Sequence, residues 1–402
     1  MQLSLNKINW HLRALLPACC GAIILMACSK GGGSTTVQSL PAAGISNLSQ
    51  ERTSTAAVFH FQVLLDKTSD QPVTMQYATA AGTAQAGKDF TSVSGTLTIA
   101  AGKQSASIDV PVTGDSLRSP NKTFYVQLSN PQNCTLRTDK ATGTIVDENG
   151  LYLPVEKTGY TTAATYPGYS LVWSDEFDGT QINTANWSFE TGNNGWGNNE
   201  LENYTDRKQN AFVSAGNLVI EARQEQLGGS AYTSARMISK NKQVFKFGRI
   251  DIRAKLPAGK GIWPALWMLG NNIDQAGWPA CGEMDILELL GQQPNKIYGT
   301  LHWGASPATH ASKGDSYTLA GGSFDQQFHV YSLLWQQDSV KVLVDDVPYV
   351  QVKRADVAGN YPFNSDFFFI FNVAVGGNWP GAPDSNTSFP QRMIVDYVRV
   401  FQ

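Results

Sequence analysis

The 402-residue chain sets 30 Lys and Arg against 33 Asp and Glu, a formal net charge of -3. So small a balance suggests neither a nucleic-acid surface nor a polyanion partner. The length predicts two domains of about 100–200 residues each, and 37 glycines with no Lys/Arg-rich helical pattern point to an all-β chain.

The first predicted element is a targeting segment over residues 1–27. Lys7 and Arg13 precede "ALLPACCGAIILMA", 14 apolar residues, too short for a span of about 20 and suited to a signal h-region. The run ends in "LMAC" and resembles a bacterial lipoprotein signal, with Cys28 as the lipidated first residue of the mature chain. An ordinary cleaved signal with an incidental cysteine is the other reading. "SKGGGSTTVQS" then reads as a flexible tether over 28–39. Ser29 after the cysteine implies, by analogy with such lipoproteins, an envelope protein lipid-anchored at the outer membrane or surface of a Gram-negative cell. Cys134 and Cys281 are left, too few for a disulfide framework, and are expected as buried small residues.

Between residues 35 and 150 there is no Trp, whereas nine follow residue 151. The first half reads as short alternating strands: "AAVFHFQVLL", "SASIDVPV", and "KTFYVQLS" with Phe124, Val126 and Leu128 on one face. The run from "VTMQYATAAG" to "TGTIVDEN" resembles a Calx-beta domain over residues 40–148. The resemblance implies an immunoglobulin-like β-sandwich that often binds calcium through clustered acids, here Glu51, Asp89, Asp115 and Asp147. Ser119 and Lys122 stand where an acidic pair is usual, which weakens a site needing several oxygen ligands. A spacer or adhesion module is the favoured reading. "ENGLYLPVEKTGYTTAATYPGYS" lacks periodicity, so a linker is expected over 149–167.

From residue 168 the strands lengthen. "GNLVIEARQE" places Leu218, Ile220 and Ala222 inward, with Val219, Glu221 and Arg223 outward, and "GRIDIRAKL" alternates likewise. "FFFIFNVAV" suits a strand covered on both faces. "VKVLVDDVPYVQV" reads as a hairpin turning at Asp345 and Asp346. Together these predict one all-β domain of sandwich or jelly-roll type over 168–402.

Within it, "CGEMDILELLG" holds Glu283, Asp285 and Glu288. On a regular strand Glu288 points away from the other two. One extra residue bulging near Ile286–Leu287 restores it to their face, and bulges gather beside active sites. The glutamates then act as if four positions apart, roughly 13 Å between Cα atoms, so that leaning side chains approach the ~5–5.5 Å used by retaining glycosidases. Crowded carboxylates cannot all ionise, which suits one as nucleophile and one as proton donor. A solvated or cation-paired strand face explains the spacing equally well. The Trp and Asn clusters of "GIWPALWMLG", "GTLHWG", "WGNNELENYT" and "GGNWPG" favour a sugar cleft.

These motifs, with "LVWSDEFDG", "GEMDILE" and "DYVRVFQ", resemble glycoside hydrolase family 16, laminarinase-like branch, over nearly the whole domain. The resemblance implies a curved jelly roll that hydrolyses β-glucan internally with retention and without a catalytic cofactor. It makes Glu283 the nucleophile, Asp285 its orienting partner and Glu288 the acid/base. His302 is expected on a neighbouring strand facing the acids. Trp263, Trp267 and Trp379 are candidate sugar platforms, and Asn199 and Arg236 candidate hydroxyl contacts; Trp267 and Trp278 fit a core position equally well. A structural Ca2+, common on the convex side of such domains, would use Glu176, the Gly216 carbonyl and Asp396. A monomer is expected, with β-1,3-glucan (laminarin type, or mixed-linkage) as partner. Agarose or carrageenan cleavage by the same mechanism, and non-catalytic glycan binding, are the alternatives.

Overall fold

In a computed structural model, which describes residues 39–402, the regular elements are almost all strands. The signal over 1–27, Cys28 and all of the tether but Ser39 lie outside the described residues. The one α-helix among the described residues, Ile273–Ala276, is a single turn.

The N-terminal domain stacks a four-stranded sheet on a five-stranded one. Alternation dictates the faces: in Ala57–Leu65 every second residue from Phe59 is buried, and Phe124, Val126 and Leu128 are buried together as expected. Phe59, Phe61 and Phe90 pack around Phe124, with centroids 4.6–6.0 Å away. Cys134 is buried and free in this core, as Cys281 is in the second domain.

The second domain pairs a seven-stranded sheet with a ten-stranded one. The seven run in the spatial order Ser188–Glu190, Arg236–Ile238, Phe367–Val375, Ile262–Gly270, Glu283–Leu289, Lys296–Trp303, Ala311–Thr318. Phe367–Val375, "FFFIFNVAV", is buried at every position. The Ser339–Val344 and Val347–Lys353 hairpin turns at Asp345 and Asp346, both with positive φ, as its sequence predicts.

Val219, Glu221 and Arg223 do face away from Leu218, Ile220 and Ala222, yet they are buried too, as are Arg249, Asp251 and Arg253 on the strand Gly248–Lys255. This outer sheet face is covered, and the segment expected as a linker supplies much of the cover. Leu153 and Val155 pack near Val219 and Phe328. Arg253 donates to the Tyr160 carbonyl at 2.7 Å, Tyr160 donates to Asp346 at 2.8 Å, and Tyr166 donates to Asp251 at 2.7 Å. Residues 149–167 are therefore a strap bound across the sheet. Its lack of periodicity reflects irregular backbone rather than freedom.

Candidate active site

Strand pairing places the bulge where parity requires it. Opposite Lys296–Trp303, Asp285 pairs with Thr300 and Glu288 with Tyr298, three residues against two, and the strand Ile262–Gly270 shows the matching shift. The extra residue turns Glu288 back to the face of Glu283 and Asp285, and all three line one cleft of about 320 Å³. Gly282 enters the strand at φ 81°, where an added Cβ would lie 2.7 Å from Pro362, so only glycine makes this entry without displacement.

The neighbouring strands furnish the walls by the same alternation. Trp263, Ala265 and Trp267 face the cleft while Leu266 and Met268 enter the core; Asn372 and Ala374 face it while Phe371 and Val373 do not. Trp267 donates from Nε1 to Asn372 Oδ1 at 2.8 Å; it lines the cleft and also packs against the buried cluster of Ile238, Leu269, Phe368 and Ile370.

Each glutamate has its own indole donor. Trp278 donates from Nε1 to Glu283 Oε2 at 2.9 Å, and Trp263 donates to Glu288 Oε1 at 3.1 Å. His302, on the adjacent strand as expected, places Nε2 3.1 Å from Asp285 Oδ2 and 3.8 Å from Glu283 Oε1. Its Nδ1 meets His310 Nε2 at 2.8 Å, and the Trp278 ring lies over His310 at 4.7 Å.

Burial raises all three acids. Glu283 is pushed up to about 8 by burial and then by Asp285, with His302, the Trp278 donor and Arg236 pulling it down. Asp285 is also pushed up to about 8 by burial. Glu288 is raised well above its ordinary value by burial and by both neighbouring carboxylates, with His302 and Trp263 opposing. More opposing influences reach Glu283 than Glu288. The two glutamates thus sit in unequal environments: both neighbouring carboxylates push Glu288 up, whereas Asp285 pushes Glu283 up against the pull of His302, Trp278 and Arg236.

Of the other expected contacts, Arg236 lines the cleft, its guanidinium 4.7 Å from the Trp267 ring and 5.0 Å from Trp196. Trp379 is partly exposed at the rim, edge-on to Trp263 at 5.6 Å and to Tyr298 at 4.9 Å. Asn199 donates to Asn378 Oδ1 at 2.9 Å and does not line the cleft. Trp278, for which core and cleft were equally open, lines it, as do Trp196, Glu200 and Asn372, which had not been singled out. Trp196 and Glu200 were legible inside "WGNNELENYT"; Asn372, within an apolar strand, gave no signal.

The expected calcium ligands do not fit a calcium ion as they stand. Glu176 is paired with Arg399 at 2.8–2.9 Å, the Gly216 carbonyl accepts from Lys157 Nζ at 3.0 Å, and Asp396 pairs with Lys157 at 2.6 Å and Arg253 at 2.7 Å. Protein cations hold each of the three.

The profile of the family described as "Glycosyl hydrolases family 16" matches residues 198–399, half of the chain, and includes every cleft residue named above except Trp196. The chain belongs to glycosyl hydrolase family 16. A Calx-beta domain is matched over residues 43–149. Family 16 relatives include "Glucan endo-1,3-beta-glucosidase A1" of Niallia circulans, 40% identical over 61% of this chain, which spans 39% of that longer protein. "Beta-glucanase" of Rhodothermus marinus is 39% identical over 59% of the chain and 86% of its own length. The laminarinase catalytic domain of Thermotoga maritima superposes with a TM-score of 0.55 at 49% identity, over 58% of this chain and 98% of that domain.

Proposed function

We propose that this protein is a retaining endo-β-1,3-glucanase acting on laminarin-type chains and on mixed-linkage β-1,3-1,4-glucan. One observation carries the reading: Glu283 and Glu288 face one tryptophan-walled cleft in unequal environments. Glu283 attacks the anomeric carbon as Glu288 protonates the departing glycosidic oxygen. Glu288, now a carboxylate, then takes a proton from the water that releases the glycosyl-enzyme. His302 favours the charged form of Glu283, and Asp285, 3.1 Å from His302 Nε2, is the partner that orients the pair. The relatives named as β-1,3-glucanase, β-glucanase and laminarinase support the substrate class.

Pure glycan capture does not require three crowded acids raised by burial. Sulfated galactans favour a free cation in the cleft, whereas Arg236 is already paired with Glu190 at 2.5 Å. The test is incubation of the full chain with laminarin, lichenan, agarose and carrageenan, counting reducing ends. Release from laminarin supports the reading. Release from agarose or carrageenan alone overturns the substrate, and laminarin binding without release overturns the enzyme.

We also infer from "LMAC" and the Gly/Ser-rich stretch after it that Cys28 carries a lipid anchoring the enzyme in the cell envelope. A Cys28→Ser chain that remains membrane-bound would contradict this.

A further inference from the structure

Three of the four acids expected to gather calcium in the N-terminal domain instead surround a side chain of their own domain. Arg52 is buried. Its Nε and Nη2 donate to the two oxygens of Asp147 at 2.7 and 2.6 Å, and its Nη1 donates to Asp89 at 3.0 Å. Asp115 stands 3.7 Å from Nη2, and Lys122 adds a second cation 2.7 Å from Asp89. Glu51 turns aside and accepts from Asn149 at 2.8 Å. Three carboxylates thus face two fixed positive charges, and the bidentate fork on Asp147 is the strong form of such a pair. Calcium needs six to eight oxygen ligands; here the inward oxygens of both buried aspartates already accept N–H bonds. Burial works against the Asp89 charge, but the Gln85 N–H, Lys122 and Arg52 hold its carboxyl down at about 2.

The same lock adjoins the contact between the domains. The Asp147 carbonyl accepts from the Ser119 and Gly150 N–H groups, and Arg118 N–H donates to the Tyr152 carbonyl. The Arg118 side chain reaches across to the second domain, donating to Glu221 at 2.9 and 3.1 Å and to the Gln209 carbonyl at 2.9 Å, with the Phe212 ring 4.1 Å beneath it. Glu221 is fully buried and also accepts from Arg392 at 2.6 Å. On the other side Arg223 donates to Asn149 at 3.0 Å.

We propose that Arg52 is the built-in cation of the N-terminal domain: it takes the place of calcium and, through Asp147, holds residues 147–152 and Arg118 in the shape that docks on Glu221. The two domains are thereby joined without a divalent ion. Removing the guanidinium leaves two buried aspartates short of a partner, a costly state, and restores oxygens that an added ion can use.

The test is amide hydrogen exchange, read on peptides covering residues 85–92, 115–123 and 145–152 of the full chain, in EGTA and in millimolar CaCl2. The wild type is expected to show the same protection in both. Arg52→Ser is expected to lose protection in EGTA over all three peptides, with calcium recovering part of it, and Arg52→Lys is expected to lose less. Added protection of the wild type by calcium at these peptides would overturn the cation assignment. Full protection of residues 145–152 in Arg52→Ser without calcium would overturn the coupling to the domain contact. If Arg52→Ser does not fold, the wild-type arm and Arg52→Lys still decide.

Discussion

Trp278 donates its indole N–H to Glu283 across 2.9 Å from a loop residue five positions upstream, with its ring laid over His310. The bond favours the ionised form of a carboxyl that stands at about 8 under the combined effect of burial and Asp285, which raise it, and of His302, this donor and Arg236, which lower it. Trp278→Phe keeps a ring and removes only this donor. It is expected to raise the Glu283 pKa further and move the acidic limb of the kcat/KM profile to higher pH. Because Trp278 is partly exposed, the loss on that limb is set at about tenfold, the low end for a hydrogen bond to a charged group. An unshifted profile would remove Trp278 from this role.

Glu288 is assigned the proton-donor role. Glu288→Gln is expected to lower kcat on laminarin by about 10²–10⁴-fold, with a much smaller loss for glycosylation by an aryl β-laminaribioside whose phenolate leaves without a proton. Single-turnover kinetics on both substrates check this. Equal losses on both would place Glu288 outside acid catalysis.

The same residue governs stability. Its folded pKa is raised well above 4.5 by burial, then by Asp285 and Glu283. Below pH 4.5 both folded and unfolded chains are protonated there; above it the unfolded chain releases a proton that the folded one keeps. Stability therefore falls as pH rises through that window. Glu288→Gln escapes the loss, so at pH 7 its Tm is expected to exceed the wild type's by roughly 2–4 °C, the scale of about 1 kcal/mol in a domain of this length. The excess is expected to vanish below pH 4.5. A lower Tm for the variant at pH 7 would contradict the buried, protonated glutamate.

His310 bonds the Nδ1 of His302 at 2.8 Å and so helps to fix the tautomer whose Nε2 faces Asp285. His310→Ala is expected to cost about 0.5–1.5 kcal/mol, a two- to tenfold drop in kcat with KM little changed. It is also expected to alter the pH profile. A change in KM alone would mark His310 as a sugar contact instead.

The bulge was legible because parity is strict on a strand: two acids share a face, a third does not, and an apolar run cannot leave it in solvent. Faces followed from alternation wherever one side meets the core, as at Phe124, Val126 and Leu128. What sequence could not reveal depends on partners far along the chain. Val219, Glu221 and Arg223 alternate like solvent-facing residues, yet the N-terminal domain and the strap cover them. Glu176 and Asp396 carry the right chemistry for calcium, but Arg399, Lys157 and Arg253 reach them first. Arg52 sits beside an expected ligand, and only the folded domain shows it pointing into the acids.

The most direct test of the catalytic account is trapping with a 2-deoxy-2-fluoro-β-laminaribiosyl donor, followed by peptide mass spectrometry of the full chain. The expected result is one sugar adduct on Glu283, absent from Glu283→Gln and still formed, more slowly, in Glu288→Gln. An adduct on Glu288, or turnover of laminarin with inverted products and no adduct, would contradict the assignment of Glu283 as nucleophile.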